Sequence, residues 1–273
     1  MIQIGANSAH HEIALPGPTT STVTLSWSVA TDRGYHRSSN EDSVIAKAPI
    51  FAVADGMGGH AAGDIASAAV VTRLAELTDP LVRSRDDITN ALRLAVKDIM
   101  SFRGETDSTT GTTVSGLALT MVDNELCWLV FNIGDSRVYT YAERSLQQIT
   151  VDHSVVQLLV DTGAISPSEA HTHPNSNVIT RAVGLNEDPI PDFSLIPVVE
   201  GSRFLVCSDG LTKELTDYGI GWFLSKDPLA NDAVSELMQT ALDNGGRDNV
   251  TLIVVDVERA PASAREGARF ACA

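Results

Sequence analysis

Five aspartates are spread along nearly the whole chain, each inside a short word: Asp42 in SSNEDS, Asp55 in FAVADGMGGH, Asp135 in FNIGDSR, Asp209 in FLVCSDG and Asp248 in GGRDNVT. Asp55, Asp135 and Asp209 close apolar runs of the kind that form strands. Carboxylates delivered from several strand ends can converge on one edge of a sheet, and hard dications such as Mg²⁺ and Mn²⁺ take oxygen ligands. The chemistry this pattern suggests is metal-dependent hydrolysis. Each Asp-Gly pair alone is equally a turn signal between strands. The recurrence of such words in order separates the two readings.

The elements that must position these aspartates come in blocks. The strand runs TLSWSVA and SVIAKAPIFAVAD precede two helical stretches, one with Ile65, Ala69, Val70, Leu74 and Leu77 at helical spacing, the other with Ile88, Leu92, Val96 and Ile99. Then GTTVSGLALTMV, ELCWLVFNIG and SRVYTYAE, joined at Asp123-Asn124 and Gly134-Asp135, read as a β-meander. A helix around Ala233, Leu237 and Ala241 and a last strand, NVTLIVVDV, follow. Strands and helices in blocks indicate α+β and not alternating α/β. Residues 1–22 and 259–273 are aperiodic and read as loose tails around one domain, 23–258.

The chain has 273 residues, 43% of them hydrophobic, enough for a buried core. A net charge of −16 disfavours nucleic acid and anionic membranes as partners. Cys127, Cys207 and Cys272 lie too far apart in sequence for a zinc knuckle, and two of them sit in strand-like runs, as core residues do in a reducing compartment. No basic segment leads into an apolar one at the N-terminus, and no run approaches the ~18 apolar residues of a membrane span. A cytoplasmic monomer is the expectation.

In order, RGYHRSSNEDS, VADGMGGHAAGDIAS, TGTT, NIGDSRVY, HTHPNSNVITRAVG, LVCSDGLT and GGRDNVTLIVV resemble the successive motifs of the metal-dependent protein phosphatases (PPM, or type 2C) in their bacterial form, over roughly residues 23–258. The resemblance implies a four-layer α/β/β/α sandwich of two antiparallel sheets flanked by helices, with metals at one end. It implies that Asp55 bridges two Mn²⁺ or Mg²⁺ ions and that Gly56 offers its carbonyl. Asp209 and Asp248 would complete the first metal site, and Glu41 with Asp42 would hold the second, largely through water. Asp135 matches a position linked to a weaker third ion. Arg37, four residues before Glu41, matches the phosphate-binding arginine, and its guanidinium fork suits a phosphate. Residues 153–184 match a flap beside the active site; His171 and His173 then read as flap residues and not zinc ligands. Where some members have a general-acid histidine this chain has Met57, which leaves His60, a metal-bound water, or a helix-capping role for His60 as alternatives.

The expected activity is hydrolysis of phosphoserine and phosphothreonine in proteins by a water activated at a dinuclear Mg/Mn centre, opposing a serine/threonine kinase. A phosphoesterase acting on small phosphorylated molecules is the alternative, disfavoured by the lack of an aromatic and basic stretch to bind a base. A non-catalytic phosphoprotein-binding domain would require loss of a metal carboxylate, and all are present. No Cys-x5-Arg word of a thiol phosphatase occurs, and Cys207 is followed by Ser-Asp-Gly.

Overall fold

Several strands of this chain are apolar on both faces, with IFAVA at 50–54 and RFLVC at 203–207 buried at every position. A strand without a solvent face must be covered on both sides, and this forces layers. The computed structural model describes residues 1–16, 21–58, 62–77, 84–102, 110–170, 172–186 and 188–261, and resolves this requirement as two stacked six-stranded sheets with helices outside each.

The first sheet runs β1 (Gln3–Gly5), β4 (Ser43–Lys47), β5 (Ile50–Ala54), β8 (Val114–Val122), β9 (Glu125–Ile133) and β12 (Asp192–Pro197). The second runs β11 (Ser145–Gln148), β10 (Arg137–Ala142), β13 (Arg203–Cys207), β14 (Val250–Arg259), β3 (Thr22–Asp32) and β2 (Ser8–Ala14). A small ribbon pairs β6 (Gly56–Met57) with β7 (Gly111–Thr112). Helices α1 (Ala62–Ala75) and α2 (Arg85–Phe102) cover the first sheet. Helices α5 (Asp209–Thr212), α6 (Asp217–Lys226) and α7 (Ala230–Asp243) cover the second. Between β11 and β12 lie α3 (Val155–Asp161) and α4 (Pro167–Ala170), in the segment matching the flap.

Side chains alternate between layers as strand geometry requires. In β5, Phe51 and Val53 enter the core between the sheets, while Ala52 and Ala54 face α1 and α2. The inter-sheet core carries edge-to-face aromatics from both sheets: Trp27 on Phe51 at 5.1 Å, Phe51 on Trp128 at 6.1 Å and Trp128 on Phe204 at 5.7 Å between centroids. Such pairs prefer this geometry and lock the two sheets in register.

The α/β/β/α sandwich is therefore present, with four departures in detail from the sequence reading. The sheets are antiparallel except where β1 joins β4 in parallel. The meander breaks after β9: β8 and β9 form a hairpin through Asp123 and Asn124, both at positive φ, but β10 leaves for the other sheet, so Gly134-Asp135 is a crossover between sheets. In α1 the buried stripe is Ala66, Ser67, Val70, Val71 and Leu74, and Ile65 stays 36% exposed, because small residues and the Ser67 hydroxyl, not the largest apolar side chains, face the strand ends.

The fourth departure concerns the ends. The stretch read as a loose tail at 1–22 contains β1 and β2, both paired into the sheets. The Trp27 indole N–H donates to the Ala6 carbonyl at 2.8 Å, and Val29 N–H to Asn7 Oδ1 at 2.9 Å. At the other end β14 continues to Arg259, and residues 262–273, with Cys272, lie outside the described residues. Ile13 on β2 is 2% exposed in the inter-sheet core. Replacing Ile13 with Asp should destabilise the protein by at least about 2 kcal/mol, since it buries a charge without a partner. A chemical denaturation curve with an unchanged midpoint would return this segment to the status of a tail.

Candidate active site

Strand register alone gathers the five aspartates at one end of the sandwich. In the β4–β5 hairpin Ser43 pairs with Ala54, so Asp42 and Asp55 each stand one residue beyond the last pair. Across the second sheet Arg137 pairs with Cys207 and Cys207 with Leu252, so Asp135, Asp209 and Asp248 leave the same edge. The two sheets thus supply two and three carboxylates respectively to one end of the sandwich, where Asp42 is fully buried and the other four line a cleft.

Neutral hydrogen bonds fix the loops that carry them. Asp55 N–H donates to Thr113 Oγ1 at 3.1 Å, while its carbonyl accepts from Thr113 N–H at 2.9 Å and from the Thr112 hydroxyl at 2.8 Å. Asn249 ties the Arg37–Glu41 loop to the strand bearing Asp248: its Oδ1 accepts from Glu41 N–H at 2.8 Å, and its amide donates to the Arg33 and Ser39 carbonyls, each at 2.9 Å. Gly56 is pressed between the Gly63 and Glu41 carbonyls, where any Cβ would collide with backbone. This close approach explains the glycine better than a turn does, since its φ is not positive.

The electrostatics are those of crowded like charges. Asp42 is fully buried; burial pushes its carboxyl up to about 7, the Asp209 and Asp248 charges add to the shift, and hydrogen bonds from Thr251 and Ser208 oppose it. Burial and then the Asp42, Asp209, Asp135 and Asp248 charges push Asp55 well above the ordinary carboxylate range. Burial, then Asp209 and Asp152, bring Asp135 up to about 8. For Asp248 burial acts upward, but Lys213 and Arg37 prevail and hold it below its ordinary value.

This donor set fits hard cations. Asp42 Oδ1 and Asp209 Oδ1 are buried without a hydrogen-bond partner, a costly state for a carboxylate oxygen unless a cation meets it. As arranged, no three carboxylate or imidazole groups among the described residues close around one point. Asp248 and Asp209 are instead held in ion pairs. Arg37 clasps Asp248 with Nε at 2.7 Å from Oδ1 and Nη2 at 2.9 Å from Oδ2, and Lys213 Nζ reaches both Asp209 and Asp248.

Above the carboxylates opens a cleft of ≈ 830 Å³, lined on its floor by Asp55, Gly56, Asp135, Asp209 and Asp248, on its rim by Arg37 and Glu41, and on its far wall by Val156, Val160, Pro167 and Ile179 from the flap. His153 anchors that wall to the crossover: its Nδ1 accepts from Gly134 N–H at 3.2 Å, which leaves Nε2 to donate to Asp192 Oδ2 at 3.0 Å. His173 Nδ1 accepts from Asn175 N–H within the flap, while His171 and His60 lie outside the described residues. The structure therefore assembles Arg37, Glu41, Asp42, Asp55, Gly56, Asp135, Asp209 and Asp248. The sequence reading passed over Lys213, Thr113, Asn249 and His153. Thr113 and Asn249 stand in two of the quoted words, TGTT and GGRDNVT, and Asn249 directly follows the site residue Asp248, which was the available signal.

The family model for protein phosphatase 2C matches residues 35–251. The chain is 39% identical over 241 residues to the serine/threonine protein phosphatase PstP of Mycobacterium tuberculosis, covering 86% of this chain and 46% of that protein. It thus spans about half the length of that relative. It is 34% identical over 247 residues to the protein phosphatase PhpP of Streptococcus pneumoniae, covering 86% of this chain and 98% of the relative. Among solved structures, the M. tuberculosis phosphatase PstP/Ppp superposes with a TM-score of 0.78 at 37% identity, covering 87% of this chain and 100% of that one. The PstP catalytic domain in complex with two manganese ions gives 0.76 at 38% identity, covering 86% and 98%.

The raised carboxyls have a consequence for the metal-free protein. A carboxyl with a raised folded pKa keeps its proton in the folded state when the unfolded chain has lost it. That stability is complete below the unfolded value of 3.8 and is lost as pH rises through about 7 for Asp42 and about 8 for Asp135. In excess chelator the melting temperature should accordingly fall as pH rises from about 4 and level off above about pH 8. Asp135→Asn should flatten the upper part of that fall; a melting temperature that rises over the same range would contradict the charge-crowding account.

Proposed function

The chain belongs to the protein phosphatase 2C family, and from that premise we propose that it is a metal-dependent serine/threonine protein phosphatase that hydrolyses phosphoserine and phosphothreonine at the carboxylate cluster. The observation that carries the reading is the convergence of five aspartates from the two sheets on one end of the sandwich, four of them lining the cleft and an arginine at its rim. Two Mn²⁺ or Mg²⁺ ions are the proposed cofactors, as in the manganese-bound relative. Asp55, Gly56, Asp209 and Asp248 would hold one, Asp55 with Glu41 and Asp42 the other, and Asp135 a weaker third. When bound, such ions supply Lewis acidity at the phosphoryl oxygens and make water acidic enough to attack near neutral pH.

The chain's own side chains perform the remaining tasks. Arg37 presents a cationic fork at the cleft mouth; Nε and Nη2 are taken by Asp248, and Nη1, without a partner among the described residues, is left for a phosphoryl oxygen. Asp248 thereby orients the guanidinium. Thr113 and Asn249 fix the Asp55 and Glu41 backbones, so the carboxylates do not need to reorganise when charge develops. Cys207 is fully buried, with its thiol pushed up to about 12 by burial, so it is no nucleophile and direct transfer to water is the proposed course.

Substrates of this kind presuppose a serine/threonine kinase, and a cognate kinase, a signalling role and a cytoplasmic, monomeric enzyme belong to the same reading. No helix among the described residues is long and apolar enough to cross a membrane.

The decisive assay is release of phosphate from a phosphothreonine peptide. Activity should be absent in excess chelator and return with Mn²⁺, and Asp55→Asn should abolish it while the protein stays folded. Faster turnover of sugar phosphates or nucleotides than of the peptide would favour the small-molecule alternative. Arg37→Ala should lower kcat/KM by roughly 10- to 100-fold, the size of one charge-assisted hydrogen bond. An effect confined to KM would assign Arg37 to ground-state binding, whereas unchanged kinetics would remove it from the site.

A further inference from the structure

Two carboxylates assigned to the cations are already satisfied by a lysine of the chain itself. Lys213 Nζ stands 2.5 Å from Asp209 Oδ2 and 2.9 Å from Asp248 Oδ2. Local structure produces the first contact. Asp209 opens α5 and Lys213 caps it, with Lys213 N–H donating to the Asp209 carbonyl at 2.8 Å, so the side chains lie four residues apart on one helical face. Tertiary structure produces the second, since Asp248 comes from the neighbouring strand edge just before β14.

Lys213 is not an ordinary surface lysine. Its side chain is 30% exposed, its stem lines the cleft, and its ammonium also bears on Asp135. Ammonium is strongly hydrated, and drawing it out of water is unfavourable unless carboxylates replace the lost hydration. Here two do. The cluster in turn needs a cation, because its buried carboxylates repel one another, and the lysine supplies one covalently attached charge among them. A divalent ion held by Asp209 and Asp248 would compete for these two side chains and repel the ammonium at their Oδ2 oxygens.

We propose that Lys213 is a built-in counter-cation of the carboxylate cluster, which stabilises the metal-free fold and must be displaced from Asp209 and Asp248 when a divalent ion binds, so that it sets the metal affinity of the site. The proposal rests on the assignment of Asp209 and Asp248 as metal ligands. Lys213 acts through those two side chains and is a positioning residue. Metal binding then includes an internal exchange of one cation for another, and the freed ammonium remains in the cleft beside the place the phosphoryl group must occupy.

Calorimetric titration of the chelator-stripped full chain with Mn²⁺, paired with melting curves without metal, tests this independently of turnover. Lys213→Met keeps most of the stem and removes the charge; it should lower the metal-free melting temperature and yet tighten Mn²⁺ binding by about tenfold, the scale of losing one partly desolvated charge pair as a competitor. Lys213→Arg should stay close to the native protein in both measurements. In an Asp248→Asn background the metal-free destabilisation caused by Lys213→Met should shrink, because one of its two partners is gone. If Lys213→Met does not fold without metal, Lys213→Gln is read in the same way. Mn²⁺ affinity that is unchanged or weaker in the uncharged variants, with melting temperature lowered equally with and without metal, would make Lys213 merely structural and overturn the proposal. Failure of the native protein to bind Mn²⁺ would instead overturn the metal assignment itself.

Discussion

Repulsion among carboxylates that share one end of the sandwich is the constraint on which the rest of the architecture depends. Five aspartates in or beside a cleft floor, with Asp42 fully buried and Asp55 half-buried, would drive their loops apart if those loops were free to move. They are not free. Asp42 precedes β4 by one residue and Asp55 follows β5 by one, and both strands are apolar and buried on each face, so shifting either carboxylate means shifting a core strand. Three apolar cores and the edge-to-face aromatics between the sheets hold the strands in place. The binding energy of a metal site is in this sense stored beforehand, as charge density that the folded core keeps together.

The chain moderates that charge with parts of different kinds. Hydrogen-bond donors act first: Ser208 donates its hydroxyl to Asp42 Oδ2 at 2.9 Å and itself accepts from Thr251 N–H at 3.0 Å. Cations act second, Arg37 on Asp248 and Lys213 on Asp209 and Asp248. Only the cations are exchangeable. A hydroxyl built into a strand edge remains where it is when ions come and go, whereas a long side chain can leave. Two buried oxygens, on Asp42 and Asp209, receive neither kind of help. Asp209 lines the cleft floor, and an external cation there would meet its unpartnered oxygen.

Much of this was legible in the sequence, for a definable reason. An aspartate at the end of an apolar run keeps its meaning in one dimension, because a strand end has a known direction and a carboxylate a known chemistry; Asp55 and Asp209 are of this type. The crossover at Gly134-Asp135 was not legible, since a glycine and an aspartate between two strand-like runs look the same whether the second strand turns back or leaves for another sheet. The strand SAHHEIA at 8–14 was hidden by its place at the edge of the second sheet, where its outward side chains are polar and only Ile13 is buried. Asn249 and His153 were missed because their partners lie far away in sequence, 208 residues for Asn249 and Glu41 and 39 for His153 and Asp192, and for Lys213 only the pairing with Asp209, four residues away, was local, while Asp248 is 35 away. Long-range juxtaposition of that kind leaves no periodic trace.

The net charge of −16 sets one further condition on the proposed activity. A phosphorylated segment is itself anionic, and an acidic cleft in an acidic protein repels it at long range. That repulsion fades over the ~8 Å screening length of physiological salt, so the decision falls to the charges within the cleft. There Arg37, Arg137, Lys213 and Arg247 face Glu41, Asp55, Asp135, Asp152, Asp209, Asp217 and Asp248, so acidic side chains outnumber basic ones. Arg37 and Lys213 are moreover spent on those carboxylates and only partly available to a ligand. Dications at the same carboxylates would reverse the local sign and return Lys213 to the cleft at the same time. On the proposed function this balance would favour an order of events in which the cluster is filled before a phosphoryl group is attracted to it.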